Sequence, residues 1–135
     1  KRMTEAAFVR AIQWVVSNGV QIILTTMGRH KESLIIRKEL EIAIAANIIV
    51  IASAGNHGGS LPLFPSSMNR VICVSAIGRD GLPLPICYSG SLVNVFAPGE
   101  LIMSARLDGW GEMTGSSQAA AIFCGLLAQK LFLDS

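Results

Sequence analysis

Charged side chains are scarce in this 135-residue chain: they make up 15% of it, against about 25% in an average soluble protein. The net charge is only +2 and the lysines and arginines are scattered, so nothing indicates a nucleic-acid partner. Half of the residues are apolar, and the mean hydropathy is high for a free-standing soluble domain. This composition indicates missing polar surface or a large apolar face that a partner covers.

Long hydrophobic runs are also missing. The longest, residues 42–54, is shorter than the about 20 residues that cross a bilayer, and Asn47 interrupts it, so we expect no membrane span. No charged-then-apolar leader follows Lys1 and Arg2, which suggests an excised piece and leaves the compartment unknown. Neither a GxGxxG nor a Walker A spacing occurs, so a nucleotide site is not indicated.

Cysteine is sparse as well. Cys73, Cys87 and Cys124 are odd in number, lack a CxxC spacing and sit among apolar neighbours. We therefore expect them to be small buried hydrophobic residues, with no metal or disulfide role. No cofactor is predicted.

A helix followed by a strand occurs twice at the start of the chain. The first unit has Thr4 as N-cap and ends its helix at Asn18-Gly19, and the second stops its helix at Asn47. We predict helices over 4–17, 32–46 and about 117–132, strands over 20–26, 48–53, 71–77 and 93–97, and turns over 78–91. Successive helix and strand units predict an α/β fold with a parallel sheet and helices on its faces.

Polar and small residues follow the strands, and sites in parallel sheets lie at the carboxyl ends of the strands. The segment SAGNHGG at 53–59 holds Asn56, whose amide can donate a hydrogen bond to a developing oxyanion. The segment MTGSSQAAAIFCG at 113–125 places Ser117 in the first turn of a helix, where backbone N–H groups lack intrahelical partners. Each residue alone is more often a turn residue or a helix cap.

Five blocks in this order resemble the subtilisin-like serine peptidases (subtilases, the peptidase S8 family): residues 11–28, 49–58, 64–77, 94–105 and 113–128. The resemblance implies a three-layer α/β/α fold with a parallel twisted sheet, incomplete in this chain. It also implies a serine endopeptidase in which Ser117 is the nucleophile. The Asn56 side chain and the Ser117 backbone N–H would then form the oxyanion hole.

The same resemblance implies where a peptide or protein substrate would bind. Thr26, Met27 and Gly28 would pair with the extended substrate by strand addition. The pocket for the residue before the scissile bond would be walled by Ser53, Ala54 and Gly55. These three small residues leave room for a sizeable side chain. Structural calcium is common in the family, but no ligands for it can be identified among the carboxylates.

The base and the acid that would activate Ser117 are not recognisable. The family supplies them in an Asp-Ser/Thr-Gly segment and a His-Gly-Thr-His-like segment, and neither occurs here. His57 falls at a variable position of the family, and His30 lies in a polar loop as a solvated residue. The resemblance implies that residues 1–135 are the C-terminal portion of the peptidase domain, inactive alone. The Asp and His would come from a missing N-terminal segment or a separate chain.

Two other functions stay open. One is a catalytically inactive subtilisin-like binding or regulatory module, because Gln118, Ala121 and Ile122 replace the Met, Pro and His usual in the family. The other is a pyridoxal-phosphate enzyme of the threonine dehydratase type, since SAGNHG is also similar to the asparagine loop of that family. The Ser-x-Lys segment and the glycine-rich phosphate loop that such enzymes need are missing, which disfavours this reading.

Overall fold

A computed structural model describes residues 3–134. The Lys1-Arg2 start, interpreted above as the mark of an excised piece, lies outside the described residues. All seven predicted elements are present, with ends shifted by a few residues. The elements are α1 (Glu5–Ser17), β1 (Ile22–Thr25), α2 (Leu34–Ala45), β2 (Ile49–Ser53), β3 (Ile72–Ile77), β4 (Val95–Pro98), β5 (Ile102–Arg106), β6 (Gly109–Met113) and α3 (Ser116–Leu133).

Strands β1 to β4 form a parallel sheet in the order in which they occur in the chain. Helices α1 and α2 pack on one face of this sheet, and α3 packs on the other. The alternation along β2 shows the two faces: Val50 and Ala52 point into the cluster with α1 and α2, whereas Ile51 points into the cluster with α3. The predicted α/β architecture with helices on both faces is confirmed.

Local capping follows the sequence pattern. The Thr4 hydroxyl accepts a hydrogen bond from the Ala7 N–H at 3.2 Å and caps α1, and Ser33 caps α2 in the same way. Asn18 is the C-cap residue of α1. Asn47 follows α2 in the left-handed conformation, with a φ of 63°. Both predicted helix ends are therefore confirmed.

A two-stranded antiparallel hairpin, β5–β6, was not predicted from the sequence. It follows β4 and precedes α3 in the chain, and Ile102 pairs with Met113 at its base. Most of its residues are exposed and none is buried, so its sequence carries no apolar face that would predict a strand. The hairpin leads directly into the start of α3.

Large apolar surfaces remain uncovered among the described residues. Strand β1 is an edge strand, and Leu24 in it is 37% exposed, although a strand covered on both faces was predicted. In α3 only Ser116, Ala119 and Ala120 are buried, while Leu126 and other apolar side chains are exposed. A helix that is apolar all round normally lies in the middle of a protein.

Helix α3 is also the one helix within residues 3–134 that is long and apolar enough to cross a membrane by length and composition alone. Polar residues such as Gln118 and Lys130 interrupt it, so it contains no long unbroken apolar run. The three residues of α3 that are buried, Ser116, Ala119 and Ala120, lie in its first two turns and face the sheet, as in the core helix of a domain. The absence of a membrane span stays a prediction.

Candidate active site

The loop after β2 brings Asn56 to the start of α3. The Ala54 N–H donates to the Val74 carbonyl at 2.8 Å, which holds the end of β2 to β3. The next residue, Gly55, donates its N–H to the Ser116 hydroxyl at 3.1 Å. Ser116 is fully buried, so this bond ties the loop to the first residue of α3 in a dry environment.

The orientation of the Asn56 amide is fixed by its neighbours. Its Oδ1 accepts from the Ser116 N–H and from the Ser116 hydroxyl, both at 2.8 Å, and lies 3.2 Å from the Cys87 Sγ. Because a backbone N–H can only donate, the oxygen end of the amide must face Ser116. The Nδ2 end therefore points the other way, and it has no hydrogen-bond partner in the part of the chain that the structure describes.

Two glycines allow this close approach. Gly115 has a φ of 153°, and a Cβ atom on it would lie 2.5 Å from Asn56 Nδ2, so only glycine fits there. The Gly115 N–H donates to the Gly99 carbonyl at 2.8 Å. A Cβ on Gly99 would lie 2.5 Å from the Ala76 Cβ and 2.8 Å from the Gly115 carbonyl oxygen. We call Ala76, Gly99, Gly115 and Ala119 the small-residue seat of α3.

Ser117 is the second residue of α3 and directly follows the residue that holds Asn56. It is partly exposed, and its hydroxyl makes no hydrogen bond to any residue between 3 and 134. The N–H groups of this first turn have no intrahelical acceptor and carry the positive end of the helix dipole. The structure thus brings the predicted pair, Ser117 and Asn56, to one place.

Ser116 and Cys87 were not recognised as site residues from the sequence. Cys87 is buried as predicted, but its thiol also contacts the Asn56 amide. Burial raises the pKa of the Cys87 thiol, so the sulfur keeps its proton and can donate to Oδ1 at neutral pH. Because 31 and 60 positions separate Asn56 from these two residues, no local motif could have indicated the contacts.

The two predicted substrate segments leave neighbouring strands. Thr25 of β1 is in register with Ala52 of β2, so the segment 26–28 and the segment 53–55 lie side by side. Residues 26–28 are exposed, and residues 53–55 are buried. A cavity of about 710 Å³ adjoins Met27 and Gly28 on the side away from α3.

Leu63 occupies the space between these two segments. A Cβ on Gly28 would lie 2.7 Å from the Leu63 Cβ, and a Cβ on Gly55 would lie 2.8 Å from the Leu63 Cγ. The backbones of Gly28 and Gly55 therefore both pack against the Leu63 side chain. The room that Ser53, Ala54 and Gly55 were expected to leave is taken up by Leu63.

The rings of His30 and His57 contact each other beside the loop that follows β2. The ring centroids of His30 and His57 are 5.0 Å apart, and the rings are nearly perpendicular. Both residues are exposed, which agrees with the prediction that His30 is solvated. Within the described residues there is no group of three or more histidine, cysteine or acidic side chains that could hold a metal ion.

Comparisons with known proteins agree with this architecture. The model of the subtilase family matches residues 1–131. Subtilisin E of Bacillus subtilis (strain 168) is 28% identical over 125 residues, which cover 89% of this chain and 33% of that protein. Subtilisin DY of Bacillus licheniformis is 28% identical over 130 residues, which cover 93% of this chain and 47% of that protein.

Solved structures with a similar fold are proteases and related enzymes. The prenylagaramide maturation protease PagA superposes with a TM-score of 0.88 at 27% identity, over 98% of this chain and 51% of that one. The PatG macrocyclase in complex with peptide has a TM-score of 0.80 at 25% identity, over 93% of this chain and 40% of that one. This chain spans about a third to a half of the length of these relatives. With the family model matched over nearly its whole length, this chain belongs to the subtilase family.

Proposed function

We propose that this chain carries the nucleophile and the oxyanion hole of a serine endopeptidase of the subtilisin type. The observation that carries the proposal is the fixed Asn56 amide. Its Oδ1 is bound by Ser116, and its Nδ2, which has no partner among the described residues, lies close to Gly115, two residues before Ser117. The Ser117 Oγ attacks the peptide carbonyl. Asn56 Nδ2 and the Ser117 N–H then donate to the oxygen that becomes negative.

A serine hydroxyl needs a histidine to accept its proton and a carboxylate to orient that histidine. We assign these groups to an N-terminal subtilisin-like segment or a separate chain. Three observations support this assignment: the chain spans only a third to a half of its relatives, β1 has an open edge, and much of α3 is uncovered. A segment with further strands would pair with β1 and cover these surfaces.

The substrate is proposed to be a peptide or protein in an extended conformation. It would run along Thr26, Met27 and Gly28, which are exposed beyond the end of β1. The side chain before the scissile bond would point towards the pocket walled by Ser53, Ala54 and Gly55. The structural neighbours include maturation proteases and a macrocyclase in complex with peptide, which is consistent with a peptide substrate.

A serine-directed fluorophosphonate probe tests the proposal on the longest natural form of the protein. We expect covalent labelling that Ser117→Ala reduces to background, because only an activated hydroxyl reacts with the probe. Ser91→Ala is the matched control: this serine is exposed and lies in a loop, and its loss should leave labelling unchanged. A folded full-length protein that is not labelled would contradict the proposal and support the inactive binding module.

A further inference from the structure

We propose that Leu63 makes the pocket before the scissile bond shallow, so that the substrate must carry a small residue there: glycine, alanine or serine. This inference rests on the proposed function and adds the class of substrate to it.

The backbone around Leu63 is tied to both walls of the pocket. The Leu63 N–H donates to the Ala54 carbonyl at 3.0 Å, on the wall formed by 53–55. The next residue, Phe64, exchanges two hydrogen bonds with Arg29 at 2.9 and 3.0 Å, directly after the wall formed by 26–28. Leu63 is therefore held between the two walls by main-chain hydrogen bonds on either side.

The side chain fills the gap that its backbone spans. A Cβ on Gly28 would lie 2.7 Å from both Cβ and Cδ1 of Leu63. On the opposite wall, a Cβ on Gly55 would lie 2.8 Å from Cγ and 2.9 Å from Cδ1. Rotation about χ1 cannot move the Leu63 Cβ, so a change of rotamer alone does not empty the space beside Gly28.

A large substrate side chain would have to occupy the volume that Leu63 already fills. Close-packed groups do not yield such space without displacement of the backbone. A pocket that rejects extra methylene groups by contact discriminates by about 10- to 200-fold. We expect discrimination in this range between alanine and phenylalanine.

The test uses the longest natural form of the protein and two chromogenic tetrapeptide substrates that differ only in the last residue, alanine or phenylalanine. We expect kcat/KM to be at least about tenfold higher for the alanine substrate. Leu63→Gly, which also removes the Cβ beside Gly28, should raise kcat/KM for the phenylalanine substrate and reduce the alanine-to-phenylalanine ratio of kcat/KM by about tenfold or more. Leu61→Gly is the matched control, because Leu61 is 64% exposed and lies two residues away.

The preference for the alanine substrate is measured on the unaltered protein, so the inference does not depend on the folding of a variant. Equal or better cleavage of the phenylalanine substrate overturns the inference. If the fluorophosphonate probe labels Ser117 in that same protein, the proposed function survives. A protein that is neither labelled nor cleaves either substrate overturns both.

Discussion

At Asn56 the two ends of a single amide group lie in different surroundings. The oxygen end faces fully buried Ser116 and the buried Cys87 thiol, whereas the residue as a whole is exposed. A donor that is held before the reaction begins does not have to reorient when charge develops, and this is the source of its catalytic value. Ser116 is thus a positioning residue for the proposed oxyanion hole.

Ser116→Ala tests this positioning role. The change removes one hydrogen bond to Asn56 Oδ1 and leaves the Gly55 N–H without its acceptor. We expect kcat in the full-length protein to fall by about 10- to 100-fold, less than the about 10²–10³ known in subtilisin for loss of the asparagine itself. KM should change little, because the oxyanion forms only in the transition state.

Ser116→Thr is the matched variant for this prediction, since it keeps the hydroxyl and should retain most of the activity. Kinetic constants for a peptide substrate, measured with both variants, provide the comparison. A kcat for Ser116→Ala equal to that of the unaltered protein would show that the backbone N–H of Ser116 is sufficient to hold Asn56.

The residues that perform the proposed chemistry could be predicted from the sequence, but those that hold them in place could not. Ser117 and Asn56 follow strands or begin a helix in recognisable segments. Ser116, Cys87 and Leu63 act through contacts across the fold, and their side chains have no chemistry that marks them. Serine, cysteine and leucine are also common at positions without a functional role, so only the three-dimensional arrangement identifies these three.

At the scale of elements, the position of α3 on the sheet depends on residues with almost no side chain. The small-residue seat of α3 lets the helix start lie directly on β3 and on Gly99, which follows β4. Since Asn56 contacts the same helix start, the spacing between α3 and the sheet also sets the geometry of the site.

Gly99→Ala should therefore affect stability and activity together. The added methyl would lie 2.5 Å from the Ala76 Cβ and 2.8 Å from the Gly115 carbonyl, and backbone cannot move aside as a flexible side chain would. Overpacking of this kind costs about 1–3 kcal/mol in the free energy of unfolding. Denaturant unfolding and kcat of the full-length protein measure the two effects.

Gly125→Ala is the control for the helix itself. Gly125 lies in α3, and an added Cβ meets no atom within 4 Å. Alanine in a helix interior should raise the free energy of unfolding by up to about 1 kcal/mol and leave kcat unchanged. If Gly99→Ala behaves like Gly125→Ala, the seat does not set the spacing of α3.

The long elements could be predicted because their apolar periodicity reflects burial on the sheet. The hairpin β5–β6 could not be found in this way, since it is mostly exposed and carries no such pattern. Its two-residue turn is Leu107-Asp108, which lacks the Asn-Gly or Asp-Gly pair that marks a hairpin in a sequence. In β1 the apolar pattern predicted burial on both faces, but the exposure of Leu24 shows that one side lacks its cover.

For the whole molecule, the open edge of β1 and the exposed part of α3 indicate what the chain needs to be stable. We predict that residues 1–135 expressed alone do not form a soluble monomer with a cooperative thermal transition, because edge-strand groups and apolar side chains would remain in contact with water. Light scattering after size exclusion and a thermal melt test this prediction.

Co-expression with the proposed N-terminal segment should restore both properties, and an unrelated polypeptide of equal length serves as control. A monomeric, soluble chain that melts cooperatively on its own would contradict the requirement for a partner. That result would leave the assignment of Ser117 and Asn56 intact, since it concerns the surfaces of the fold and not the site.

The small-residue seat of α3 also limits how this sequence can change. Any substitution at Gly99 or Gly115 adds atoms, because glycine is the smallest residue. Every substitution there therefore pushes the start of α3 away from its neighbours. A random library built on this chain would have to hold the two glycines constant. Its tolerated diversity would concentrate in the exposed hairpin β5–β6, which can vary without altering the spacing on which the site depends.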